Sequence, residues 1–287
     1  MTRRILIQAP IDSSGAGRGE ERAPAALLAA GLLERIDVDD VIESDARIRD
    51  SSRDPATGVI GAEQIRHAAM AIASDVRATL EGGGTALVIG GDCTLLLGVF
   101  LGVPRGTGLW FVDGHADFFD GETSPTGEAA DMDLAILTGH GPPGLLEAER
   151  LVTPSAVALL GHRPDALGPD TAAENARIDP GILALNALEI RDRGPRLVGE
   201  EIVGRWIGPT WLHVDLDVLD ERAMPAVSYP QPSGLDWQEF GELLRPLAAA
   251  PDLVGISVAD LNPDLDLGGE HARRTVGALA EILGEGL

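Results

Sequence analysis

Trp110–Asp120 reads WFVDGHADFFD. Three apolar residues run straight into Asp113, His115 and Asp117, each two positions from the next. Acidic side chains at the end of a buried strand are costly unless something neutralises them. A cation is the simplest candidate. If the segment is extended, alternate side chains share a face, which would put all three on one side. A second stretch, HVDLDVLD at His213–Asp220, repeats the pattern with His213, Asp215 and Asp217.

Working outward, short apolar runs recur along the chain: RILIQAP, ALVIGGD, GLWFVDG, AVALLGH, TWLHVDLD and LVGISVADL. They are continuous rather than alternating, as expected of parallel strands covered on both faces. Helical patterns lie between them. AEQIRHAAMAIASDVRATL sets Ile65, Ala69, Ile72, Val76 and Leu80 on one stripe and ends at Gly82–Gly84. DWQEFGELLRPLAAA and EHARRTVGALAEILG are similar. The alternation predicts an α/β fold: a three-layer sandwich with a central, mostly parallel sheet and helices on both faces, as one domain over 1–287. The longest irregular stretches are expected at about 40–62 and 118–131, where such a fold carries ligand-binding loops.

The 287 residues are 44% hydrophobic, enough for one large domain. Aromatics are only 3%, so Ala, Leu, Val and Ile must fill the core. A formal net charge of −24 disfavours nucleic acid and anionic membranes and favours cations. No segment approaches the roughly 20 apolar residues of a membrane span. The opening MTRRILIQAPID reads as a first strand, not a signal peptide. The single cysteine, Cys93, rules out an intrachain disulfide and points to a reducing, cytoplasmic setting. There is no lysine, which excludes Schiff-base chemistry and a Walker-type phosphate loop.

Both acidic clusters follow buried-type strands, so both belong at the C-terminal edge of the sheet. Two divalent cations would neutralise the four aspartates Asp113, Asp117, Asp215 and Asp217. Unpaired, so many buried carboxylates would not all stay ionised. Oxygen-rich ligation favours Mn²⁺ over Zn²⁺. VIGGDCTLLLG, Val88–Gly98, supplies another strand-to-helix turn. Cys93 there either packs as a small core residue or reaches the same edge.

These residues resemble the ureohydrolase family of arginases, agmatinases and formimidoylglutamases. The family's motifs, written GGDH, DAHxD and SxDxDxxDP, stand here as Gly90–Cys93, Asp113–Asp117 and His213–Asp220. GAGRGEERAPAALLAAGL, MPAVSYPQPSGL and SVADLNPDLD are similar to further family segments, so the resemblance spans nearly the whole chain. It implies two manganese ions per chain that activate water for attack on an amidine or guanidine carbon. By position, Asp113, Asp117 and Asp215 would hold the first ion, with Cys93 where the family has a histidine. His115, Asp113, Asp215 and Asp217 would hold the second. The resemblance also implies a homotrimer or homohexamer.

Several positions depart from the family. Phe119 and Glu128 replace asparagines that receive the α-carboxylate in arginine-specific members, while Thr126 keeps a hydroxyl. Ala130 replaces the proton-shuttling histidine. Asp260 replaces the glutamate that holds the guanidinium, and His213 replaces a serine. The expected activity is therefore hydrolysis of a small cationic guanidine or amidine other than L-arginine. Asp117 would orient the attacking water and Asp260 would pair with the cation. His213 would transfer protons or hydrogen-bond an aspartate. Two rivals stand beside this reading: a single-metal amide hydrolase resembling the deacetylases, and a non-catalytic metal-binding paralogue.

Overall fold

The structure, a computed structural model, describes residues 3–146 and 150–284. Eight strands form one sheet: β1 (Arg4–Ala9), β2 (Asp40–Glu43), β3 (Thr85–Gly90), β4 (Gly108–Val112), β5 (Val157–Leu160), β6 (Leu183–Leu185), β7 (Thr210–Asp215) and β8 (Leu253–Ala259). Their order is β2-β1-β3-β8-β7-β4-β5-β6. Every strand pairing is parallel.

The continuous apolar runs are explained by two separate cores. Leu109 and Phe111 of β4 enter one, with Ile65, Ile72 and Val76 of the helix Ala62–Glu81. Trp110 and Val112 enter the other, with Phe240, Leu243 and Leu247 of the helix Trp237–Ala248. Both faces of the strand are thus removed from water, which contributes about 25 cal/mol per Å² of apolar surface. The helix Trp237–Ala248 begins where Asp236 accepts from the Gln238 and Glu239 amides while Glu239 reaches back to Asp236. Glu270–Gly284 packs on the same side through Val276, Leu279 and Ile282.

The two edge strands are absent from the apolar runs. β2 is largely exposed and reads DVIE, and it lies inside the stretch 40–62 expected to be irregular. β6 has three residues and is only half covered. Neither buries two faces, so neither carries the continuous signal. The stretch 118–131 does lack strand, and a single turn of 3₁₀ helix, Ala129–Met132, closes it.

Candidate metal centre and active-site cavity

The sheet register builds the site. Phe111 of β4 lies beside His213 of β7, so the next inward-facing positions, Asp113 and Asp215, stand at the adjoining strand ends. His213 lies in turn beside Ser257 of β8. Asp260 follows the end of β8, and Gly91-Asp92-Cys93 follow the end of β3. Four neighbouring central strands, β3, β8, β7 and β4, therefore deliver their C-terminal residues to one place, where open α/β sheets hold ligands.

The extended geometry expected for the two clusters does not hold throughout. β4 ends at Val112, and Asp117 adopts a left-handed backbone with φ 47°. Beyond Asp215 the chain turns through a 3₁₀ segment, Leu216–Val218, that contains Asp217. The clusters consequently divide. Asp113, His115 and Asp217 bring ligand atoms within 4.8 Å of one another, as do Asp113, His213 and Asp215. Cys93 gathers with Asp117 and Asp133, and separately with Asp215 and Asp260. Asp260 shares the left-handed backbone, with φ 68°. Such conformations cost a non-glycine residue about 1–3 kcal/mol and cluster at functional sites.

Close backbone approaches shape the same edge. Gly114 donates its N–H to Asp217 Oδ1 at 3.0 Å. A Cβ there would lie 2.6 Å from the Asp217 carbonyl oxygen and 2.7 Å from Arg163 Nη1, which accounts for glycine where the family motif has alanine. Arg163, not singled out in the sequence, is buried and donates Nη2 to the carbonyls of Asp217, Leu219 and Gln231 at 2.8, 3.0 and 3.1 Å. It clamps the turn that carries Asp217.

The donor set fits divalent cations. Asp113 Oδ2, His213 Nε2, Asp260 Oδ2 and both carboxylate oxygens of Asp133 are buried without a hydrogen-bond partner. Buried polar atoms left unpaired cost of the order of 1–3 kcal/mol each, more when charged. A cation at this point satisfies several at once. The ionisation pattern of the metal-free chain agrees. Burial, then repulsion from Asp215 and Asp217, pushes Asp113 well above the carboxylate range. Burial, then Asp113 and Asp133, does the same to Asp117. Burial would lower His115, but the Asp217 carboxylate at 2.7 Å overrides it and raises the imidazole to about 9. The same pairing holds Asp217 down.

Above the aspartates opens a cavity of about 220 Å³. Asp113, His115, Asp117, Asp215, Asp217, Asp260 and Cys93 reach its wall, as do Phe119, Thr126 and Glu128. His213 is not among the lining residues. It is fully buried beneath Asp113 and Asp215, with Nδ1 2.8 Å from Ser257 Oγ, and desolvation lowers it to about 3. It is a neutral imidazole under the metal edge.

Two expected substrate contacts already have partners. Thr126 donates its hydroxyl to Asp131 at 2.6 Å. Glu128 accepts from Arg18 Nη2 at 2.5 Å and from the Tyr229 hydroxyl at 3.3 Å. Its charge is therefore balanced rather than free to repel a substrate carboxylate. Ala130 lines the cavity and offers only its carbonyl, to which Cys93 Sγ donates at 3.1 Å. His140, away from the site, pairs with Asp179 at 2.7 Å.

Sequence reasoning missed Glu20, Asp133 and Glu174. Glu20 is buried on the cavity wall, and burial, then Asp92, raises it to about 8. Glu174, also on the wall, hydrogen-bonds the backbone of Asp117 and Phe118 and so holds the left-handed turn. Asp133 had a visible signal, an acid inside the apolar run MDLAIL. Glu20 and Glu174 had none: the 3₁₀ turn Glu20–Arg22 and the short helix Pro169–Asn175 carry them in, neither next to an apolar strand.

Comparison with known proteins agrees with this geometry. The arginase family model matches residues 3–286. The arginase of Bacillus caldovelox is 28% identical over 299 residues, covering 98% of each chain. An arginase of Staphylococcus aureus is 25% identical over 281 residues, covering 94% of this chain and 93% of its own. The native B. caldovelox arginase structure superposes with a TM-score of 0.86 at 26% identity, over the full length of both chains. The chain belongs to the arginase family, and its fold and hydrolase class follow from that membership.

Proposed function

We propose that this arginase-family chain hydrolyses a C–N bond in a small cationic guanidine or amidine, using two divalent cations, and that L-arginine is not its preferred substrate. The observation that carries the reading is the cavity itself. Carboxylates dominate its wall, unpartnered buried ligand atoms form its floor, and its one arginine, Arg18, is already paired with Glu128. Such a site attracts a cation. Asp113, His115 and Asp217 form an imidazole–carboxylate set suited to manganese. When bound, the metals activate water for attack on the guanidine carbon.

The chain's own residues do the rest. Asp117, fixed by its left-handed turn, orients the water. Asp260 holds the guanidinium or amidinium. With alanine at 130 and His213 walled off below, Glu20 is the proton source at the cavity, since its raised pKa keeps it protonated near neutrality. His213 supports Asp113 and Asp215 from beneath rather than carrying protons to solvent.

The case against L-arginine rests on Phe119, which lacks a side-chain donor, and on Glu128, whose acceptors are engaged. The Arg18 pairing removes most of the repulsion that Glu128 alone would exert, so the expected preference is modest. The names of the relatives speak for L-arginine, which makes the comparison decisive. The metal-loaded protein is assayed with L-arginine, agmatine and other guanidines, scored for urea or ammonia. Faster hydrolysis of carboxylate-free guanidines is expected. Equal or better turnover of L-arginine overturns the specificity, and no turnover of any compound favours the non-catalytic rival. Among the described residues no helix is long and apolar enough to cross a membrane. The reading extends to a cytoplasmic homotrimer or homohexamer, which light scattering checks.

A further inference from the structure

We infer that Asp133 is a metal ligand, joining Cys93 and Asp117 in a mixed thiolate–carboxylate site for a thiophilic divalent cation such as zinc. The inference rests on the metal-dependent reading above and narrows one of its two sites.

Asp133 opens the short helix Asp133–Thr138, where Leu134, Ala135, Ile136 and Leu137 are all buried. It is itself 0% exposed, and neither carboxylate oxygen makes a well-formed hydrogen bond; its nearest polar neighbours are the Leu134 amide and the Asp117 carboxylate. A buried carboxylate in that condition must either keep its proton or lie against a cation. Its surroundings favour the cation. One ligand atom each from Cys93, Asp117 and Asp133 lies within 4.8 Å of the others, and all three residues are buried. Cys93 Sγ stands 3.5 Å from Asp117 Oδ2. Sulfur and oxygen on one tetrahedral zinc, with bonds of about 2.3 and 2.0 Å, are separated by roughly 3.5 Å. Asp215 lies within the same reach of Cys93 and is placed to complete the set.

The donor types then select the ion. Thiolate ligation favours zinc or cobalt over manganese. The neighbouring set, Asp113, His115 and Asp217, has no sulfur and keeps the preference for a harder ion. The two sites of one chain therefore differ in metal. The alternative is that Asp133 shares a proton with Asp117 and binds nothing, and metal content separates the two.

The test uses the full chain, stripped with a chelator and titrated with Co²⁺, reading near-ultraviolet thiolate-to-cobalt absorption alongside bound cobalt. The wild type should bind two ions per chain and show the absorption. Cys93→Ser should abolish it. Asp133→Asn should weaken the absorbing site at least tenfold, leave the other ion bound and not lower the melting temperature of the metal-free protein. Asp133→Cys, which adds a second thiolate, should roughly double the absorption, and it keeps the proposal testable if Asp133→Asn folds poorly. Two bound ions without the absorption, or an absorbing site unchanged in Asp133→Asn and not intensified in Asp133→Cys, overturn the proposal while leaving the metal-dependent reading intact. Failure of the wild type to bind any ion overturns both.

Discussion

Loading the metal-free protein with a divalent cation near neutral pH should release at least two protons per chain. The perturbation is metal addition to chelator-stripped protein in weak buffer. His115 supplies one proton, because Asp217 holds the imidazole at about 9 while a ligand must be neutral. The carboxyls Asp113, Asp117 and Asp215, raised by burial and mutual repulsion, supply the remainder. Removing the His115 proton at pH 7 costs about 3 kcal/mol, since each pKa unit is worth about 1.4. Each released proton makes the apparent affinity rise about tenfold per pH unit, so two protons predict about a hundredfold between pH 6 and 7 and again between 7 and 8.

Calorimetry in buffers of different ionisation enthalpy counts the protons, and competition with a chelator gives the pH slope. Release of less than half a proton, or an affinity flat from pH 6 to 8, would refute the reasoning, because the ligands would then have been ionised already. The sign for stability follows from the same groups. His115, Glu20 and the metal aspartates other than Asp217 have folded-state pKa values above their ordinary ones. Their stabilisation is complete below the ordinary values and is lost as pH rises through the raised ones. The metal-free protein should therefore melt at progressively lower temperature as pH climbs from about 5 to about 9, and metal should help most at the upper end.

Three substitutions probe separate parts of the site. Asp215→Ala should empty both metal positions and remove the metal-dependent gain in melting temperature, about 2.7 kcal/mol per site at a hundredfold excess over Kd. Full occupancy in that variant, by elemental analysis, would contradict the placement of Asp215 between the sets. Gly114→Ala forces a Cβ to within 2.6 Å of the Asp217 carbonyl oxygen; it should cost about 1–3 kcal/mol in thermal unfolding and weaken metal binding by displacing Asp217. Glu20→Gln tests the cavity acid: wild-type affinity for a cationic guanidine should rise with pH through about 8 as Glu20 ionises, and the variant should bind more weakly with that pH step gone.

The legibility of the sequence was uneven for physical reasons. Central strands were readable because β3, β8, β7 and β4 are covered on both faces and are largely apolar, whereas β2, largely exposed, and β6, half-covered, are short edges with no such requirement. The aspartate pairs at positions 113/117 and 215/217 were readable because acids beside buried strands stand out. Their spacing misled only in suggesting an extended chain, since β4 stops at Val112 and Asp117 turns left-handed. Glu20 and Glu174 were invisible because short helical turns between strands, not a local apolar pattern, bring them to the cavity. The departures at 93 and 130 read along the chain as two unrelated losses of imidazole. In space they are one event. Cys93 donates to the carbonyl of Ala130, and Asp133, three residues further on, turns its carboxylate back toward both Cys93 and Asp117. The start of a helix favours a carboxylate through its free backbone N–H groups, yet Asp133 is fully buried and aimed at a thiol and a second acid. The coincidence of a lost imidazole, a thiol and an unpartnered acid at one point argues for a metal position rebuilt with different donors.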